Sequence, residues 1–494
     1  MSVNERSTIL LIGSAMLIPA LVYAGRFGSA LTRTALQRSA LRAWLVLLIT
    51  VLVVRALMGV LLASIGGTAH LWAVNEFWPF RIAYPNYGIL AGLPFGAVLL
   101  VGAIYVDKIY GFVSSRRARF FLLWTVAFVF SVSFGAVHGG LIDGNLGVAV
   151  GADHLRDAAI NPTLTALFKT HTARILGELL PSYEAPHSVS HPAGAIAYWQ
   201  AVARGLPPLA FSLLNAAIFS LTFSIINSAI WRQSSPGSVH PATFVTMFAP
   251  AMLIYGRSDD AVYYFLALLS VALTAVAFQA RKYALSGIAG GVAGIAANFS
   301  YASVTLLPSM VTLTVDETIG DLRRYVRHTW IHAAIVGVVI CAFLTIEWRA
   351  LGFNYLSGFL ASARRANDLT LAAILASGQI VRAFDDRAMT ILDFVLLGGP
   401  AFVVVYIAVF RGFLSPPRDW PIRNVALVIL FAAIVIEMAS AGETARDWGS
   451  LFPIMGLCLL PSALSGATES DWVWMMRAQL IWALLLQVPI NFGW

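Results

Sequence analysis

Between residues 138 and 206 the chain gathers Asp143, Asp153, His154, Asp157, His171, Glu178, Glu184, His187 and His191. His138 opens the same stretch, so five of the nine histidines fall there. Asp153 and Asp157, in GADHLRD, are four apart and share a face if the segment is helical. Carboxylates so placed can take a proton from a hydroxyl or hold a divalent cation. The plain alternative is a solvated polar loop. The stretch closes near His191-Pro192-Ala193-Gly194. There proline fixes φ, and glycine admits a backbone or a ligand at close range. An ordinary turn would use the same residues.

A second constellation is GETARDWGSLFP, residues 442–453. Glu443 and Arg446 are three apart and can pair on a helix, or Arg446 can grip a phosphate that Glu443 helps to orient. Ionisable groups at a membrane boundary are costly unless they have a role, although a structural ion pair is one such role. Asp259 and Asp260, in YGRSDD, and Asp385 and Asp386, in FDDR, are adjacent carboxylates of the kind that bind metals or sugar hydroxyls. Capping of the following helix is the simpler account of Asp259 and Asp260. Asn298 and Tyr301 could reach the same cavity. P-loop, GxGxxG, HExxH and GxSxG signatures are missing from the sequence.

The elements that must position these residues follow from composition. Of 494 residues, 59% are hydrophobic and 11% charged, against about 25% charged in soluble domains. Mean hydropathy is +0.79. Such a surface suits lipid, and the 14 Trp and 15 Tyr suit membrane interfaces. The net charge of +8 reads as loop anchoring, since no basic run interleaved with aromatics offers a nucleic-acid site. Cys341 and Cys458 lie in apolar stretches and are expected as small core residues. The first apolar segment has no basic leader or evident cleavage site and is expected as a retained helix.

A span needs about 20 apolar residues, fewer where the bilayer thins. The candidates are 8–24, 44–64, 88–107, 120–137, 207–230, 240–256, 261–279, 283–297, 301–317, 329–346, 389–411, 422–439, 450–464 and 472–490. The expected fold is therefore all-α: one integral-membrane domain over 1–494, a polytopic bundle of about 12–14 spans. Segments 283–297 and 301–317, short and rich in small residues, form a hairpin. Arg26, Arg33, Arg38, Arg42, Lys108, Arg116, Arg117, Arg119, Arg232, Arg281, Lys282, Arg323, Arg324, Arg327, Arg411, Arg418 and Arg423 fall in one set of alternating loops, which the positive-inside rule places in the cytoplasm. The long loops 138–206 and 347–388 then face outward. Within them 162–180 and 355–381 have apolar residues at helical spacing, as interfacial helices do.

His191-Pro192-Ala193-Gly194 and Gly442-Glu443-Thr444-Ala445-Arg446-Asp447-Trp448, with FAPAMLIYGRSDDAVYYFLALL and ALSGIAGGVAGIAANFSYASVTLLP between them, resemble motifs of bacterial integral-membrane glycosyltransferases of the GT-C fold. The resemblance covers roughly 130–465. That family's pattern has a second proline where this chain has Ala193, and its acidic loop follows the first span rather than the fourth. The resemblance implies a polyprenyl-phosphate-sugar donor and a glycan, lipid or protein acceptor. It places the site on the periplasmic or extracellular side of a bacterial inner membrane. It makes Asp153 the base, with Asp157 second, and leaves His191, Glu443, Arg446, Asp259 and Asp260 for substrate binding. A divalent ion, Mg or Mn, is compatible with the same carboxylates.

Two other classes compete: an O-antigen-type polymerase or ligase, and a transporter without catalysis. Transporters place polar groups near the midplane in broken helices, whereas here they concentrate in the outward loops. The charge pattern carries a test. Single cysteines placed in 138–206, 347–388 and 440–449 are all expected to react with an impermeant maleimide added outside whole cells; protection of 440–449 alone would break the topology.

Overall fold

The computed structural model describes residues 34–64, 81–82, 88–137, 139–141, 192–198, 205–230, 238–256, 260–301, 322–365, 394–407, 467–487 and 490–491, with isolated positions between them such as Phe168, Ser303 and Phe452. The helices are α1 (Ala35–Ser64), α2 (Gly88–Ile104), α3 (Val106–Ser115), α4 (Arg119–Ala136), α5 (Ala193–Tyr198), α6 (Pro208–Ile230), α7 (Pro241–Met247), α8 (Pro250–Tyr255), α9 (Asp260–Gln279), α10 (Tyr283–Ala297), α11 (Leu322–Leu351), α12 (Tyr355–Arg365), α13 (Phe394–Ile407) and α14 (Glu469–Gln487). A two-residue antiparallel pair joins Arg81–Ile82 to Ile490–Asn491. Among the described residues five helices are long and apolar enough to cross a membrane, or six if the bent pair α2–α3 is one span. Segments 8–24 and 422–439 lie outside the described residues.

Local chemistry sets the breaks. Pro241 and Pro250 each sit at the first position of a helix, where a missing N–H is harmless. His240 Nδ1 accepts from the Ala242 N–H at 3.1 Å and starts α7. The expected span 240–256 is thus two short helices rather than one. At Tyr105 the chain bends by 74° between α2 and α3. Arg477 covers the end of α2, its Nε donating to the Ala103 carbonyl at 2.9 Å and its Nη2 to that of Ile104 at 3.3 Å. Residues 106–115, expected as loop beyond Asp107, are helical.

The expected span 329–346 is the middle of a longer helix. At 1.5 Å per residue the 30-residue α11 is about 45 Å long, more than the roughly 30 Å hydrocarbon layer. Residues 347–351, expected as the start of the second loop, belong to it, because the buried Glu347 side chain faces protein. The stripe Ser286, Gly290, Ala293 and Gly294 on α10 lets α11 approach closely. A Cβ on Gly290 would lie 2.8 Å from the Val336 carbonyl oxygen, and one on Gly294 2.8 Å from Phe343 Cγ. Cys341, expected in the core, is exposed on α11. Only about one sixth of this helix's apolar window is buried, so an apolar stretch here does not mean an interior position.

The α13 helix is broken where Gly399 adopts φ +69° and Pro400 lacks an N–H. Side chains take the freed carbonyls. Trp44 Nε1 donates to the Val395 oxygen at 3.3 Å, Trp482 Nε1 to that of Leu396 at 2.7 Å, Gln479 Nε2 to that of Gly398 at 2.7 Å, and Tyr406 OH to that of Phe394 at 2.7 Å.

The contacts define two ends of the bundle. At one, Tyr110 OH donates to the Val239 carbonyl at 2.9 Å, Ser224 Oγ to that of Phe120 at 2.8 Å, and His240 stacks edge-on against Trp472. Arg38, Arg42, Lys108, Arg116, Arg117 and Arg119 lie along these same segments. At the other end Phe168, Ala193, Ile196, Phe211, Tyr301 and Phe353 pack into a separate apolar cluster.

One carboxylate ties two helix starts together at the basic end. Thr468 caps α14 and its N–H donates to Asp471 Oδ2 at 2.9 Å, while the Asp471 N–H donates back to Thr468 Oγ1 at 3.3 Å, a capping box. Thr34 accepts from the Gln37 N–H at 3.2 Å and so caps α1. Asp471 Oδ1 accepts from Thr34 Oγ1 at 2.5 Å and from Gln37 Nε2 at 3.0 Å. Burial works to raise the Asp471 pKa, but the hydrogen bonds from Thr34, Thr468 and Gln37 outweigh it and hold the carboxyl below its usual 3.8. A depressed folded-state value means that the stabilisation is full above 3.8 and is lost as pH falls through the lower folded value. Asp471→Ala is expected to destabilise the detergent-solubilised protein by about 1–3 kcal/mol, because it strands buried donors. Asp471→Asn should flatten the acid limb of melting temperature against pH below 3.8; an acid limb identical to that of the parent protein would refute the double cap.

Candidate functional site

Asp153, Asp157, His191, Asp259, Glu443 and Arg446 lie outside the described residues. Asp260 is described: it is buried and opens α9, where a negative charge suits the helix N-terminus. The motif that begins at His191 enters the described structure at Pro192 and continues as α5, whose first four residues are buried.

Its glycine explains the placement. A Cβ on Gly194 would lie 2.3 Å from the Asn298 carbonyl oxygen and 2.5 Å from Asn298 Cβ. Only glycine permits α5 to press this closely on the end of α10. Gly194 of this motif and Asn298 at the end of α10, far apart in sequence, therefore meet. Tyr198, at the end of α5, donates its hydroxyl to Asn215 Oδ1 on α6 at 2.6 Å and packs against Phe211 and Phe299. Phe168, from the first long segment, lies against Phe353, from the second, with ring centroids 6.0 Å apart.

Beside this junction the bundle holds polar groups that its own atoms leave unsatisfied. Glu347, near the end of α11, is 6% exposed, and Asn298 hydrogen-bonds its carboxyl. Among the described residues Glu347 Oε2, Asn298 Oδ1, Tyr301 OH and Ser303 Oγ are buried without a hydrogen-bond partner. Such atoms are rare in native proteins, because each one left unpaired costs about 1–3 kcal/mol. Tyr355 OH donates to the Tyr301 carbonyl at 3.3 Å, and the two rings lie 5.3 Å apart. Burial pushes the Tyr355 phenol well above its ordinary pKa, and the neighbouring Tyr301, Tyr263 and Glu347 add to the effect, so it remains a donor at physiological pH. Gly358, on the first turns of α12, leaves room for the Tyr301 hydroxyl, which would lie 2.5 Å from a Cβ there. Exposed Leu356 and Leu360, one turn apart on this 11-residue helix, form an apolar outer edge.

The arrangement offers one carboxyl, one carboxamide, phenols and a serine hydroxyl in a mainly aromatic surround. That set can hydrogen-bond a polyhydroxylated ligand from several sides. Among the described residues it includes no cation, so a phosphate would need residues from elsewhere in the chain. No group of three or more His, Cys, Asp or Glu fit to hold a metal occurs among the described residues. Sequence reading singled out Asn298 and Tyr301 but missed Glu347, which it read as the first polar residue of a loop. Its signal was an acidic side chain flanked by Ile346 and Trp348 within helical register. Compared with protein-family profiles, with curated proteins and with solved structures, the chain matches none.

The glycine contacts predict opposite outcomes on α5 and α10. Gly194→Ala must displace backbone at Asn298 and is expected to lower stability by about 1–3 kcal/mol. Gly287→Ala, with nothing within 4 Å of the added methyl, should be neutral or stabilising by up to about 1 kcal/mol through helix propensity. Melting of both purified variants in one detergent checks the pair; equal stability of the two would contradict the close approach.

Proposed function

We propose that this chain is a glycosyltransferase of the bacterial inner membrane, moving a sugar from a polyprenyl-phosphate donor to an acceptor on the extracytoplasmic side. The observation that carries the reading is the meeting of α5, the α10 tip, the end of α11 and α12 around buried, unpartnered groups suited to sugar hydroxyls. Phe168 and α5 from the first long segment and Phe353 and α12 from the second lie at this end, and Arg38, Arg42, Lys108, Arg116, Arg117 and Arg119 lie along the segments of the opposite one.

In this reading a carboxylate of the 138–206 segment, Asp153 first and Asp157 second, removes the acceptor hydroxyl proton. The acceptor oxygen attacks the anomeric carbon, and the bond from that carbon to the phosphate oxygen breaks. Arg446 neutralises the departing lipid phosphate with its two-pronged guanidinium, oriented by Glu443. His191, Asp259 and Asp260 line the approach. Glu347, Asn298 and Tyr301 hold the sugar. The position at a membrane boundary suits a donor whose tail stays in lipid while its head reacts. The broken α13 helix is the feature a transporter would use to coordinate an ion, yet its freed carbonyls are occupied by Trp, Gln and Tyr donors.

The test is transfer from a series of radiolabelled polyprenyl-phosphate sugars by purified protein in lipid vesicles, read as free polyprenyl phosphate. Asp153→Asn is expected to lower the rate by about 10²–10⁴-fold with donor binding retained, and Arg446→Lys to lose most activity. Consumption of a diphosphate-linked oligosaccharide instead would make the chain a polymerase or ligase. Solute flux without lipid cleavage would make it a transporter.

A further inference from the structure

We propose that His328 and His332 form a two-imidazole site for a late first-row transition ion, Zn2+ or Cu2+, at the end of the bundle opposite the polar cluster. The two residues are four apart on α11 and so share a face, the spacing with which a helix presents two imidazoles to one ion. Their ring centroids lie 4.6 Å apart with an interplanar angle of 81°, a separation that one ion can bridge with bonds of about 2.0–2.1 Å. Both Nε2 atoms are buried without a partner, and His332 is fully buried.

The surroundings fit a ligand pair better than a pair of packing residues. Ser286 Oγ lies 2.6 Å from His332 Nδ1. When Nδ1–H donates to that oxygen, Nε2 presents its lone pair, which is the tautomer and second-sphere support that metal-bound histidines use. Phe278 and Tyr283 wall the pair, with centroids 4.9 Å from His328 and His332 respectively. Two protein nitrogens leave the ion's other positions open. None of these residues touches the proposed sugar site, so this inference stands or falls independently of the transferase reading.

The experiment loads tag-free full-length protein in detergent with Cu2+, removes excess, counts copper and records its electron paramagnetic resonance spectrum. One equivalent more copper, with coupling to two nitrogens, is expected in the parent protein than in His328→Gln or His332→Gln. Ser286→Ala keeps both imidazoles and should bind copper about 10-fold more weakly or worse. It decides the question if the glutamine variants lose the fold. Equal copper in the parent and both histidine variants, or unchanged affinity in Ser286→Ala, would overturn the site.

Discussion

Lipid offers no water to a backbone amide, so every N–H and C=O inside the bundle must find a partner within the protein. The break in α13 makes that constraint visible. Glycine at φ +69° and the proline after it release carbonyls that a straight helix would have used itself. Trp44 arrives from α1, while Gln479 and Trp482 arrive from α14. The break is therefore possible only because three helices distant in sequence pack together, and it in turn fixes their mutual height. The same logic recurs at the α2–α3 bend, where Arg477 takes the last carbonyls of α2.

Small residues do for the other half of the bundle what polar side chains do for this one. The glycines of α10 let α11 come within backbone contact, and Gly194 lets α5 do the same at the far end. Close approach carries Glu347 and Asn298 into each other's reach, though they stand on different helices. The bundle is thereby polarised. One end is rich in arginine and lysine, and the other presents a carboxyl, an amide and phenols under an aromatic roof.

Much of this architecture could be read from the residues, and the failures share a cause. The apolar runs located α4, α6, α9 and α10 nearly to the residue, because burial and length agree there. Hydropathy misjudged α3, α7, α8 and the ends of α11. At α3 and at the ends of α11 a polar side chain within a helix looks like an end of structure, whereas at α7 and α8 the hydropathy runs on through Pro250, which starts a second helix. Cys341 failed in the opposite sense: in lipid, an apolar neighbourhood is also what an outward face looks like. Glu347 was hidden because its neutral surroundings come from Asn298 and Tyr301, which the chain brings near only by folding. Asn298 and Tyr301 themselves were legible as polar residues at a hairpin tip.

The double cap at Asp471 bears on how the protein is made. Thr34 and Asp471 are 437 residues apart, and the chain leaves the ribosome at about 5–20 residues per second. The start of α1 therefore waits about 20–90 s before the carboxylate that completes it is synthesised. Trp44 likewise waits for Val395. During that interval α1 holds hydrogen-bonding groups whose partners do not yet exist. Assembly of this bundle is thus closed from its far end, and a ribosome that stalls before α14 leaves behind an open, proteolysis-prone partial bundle.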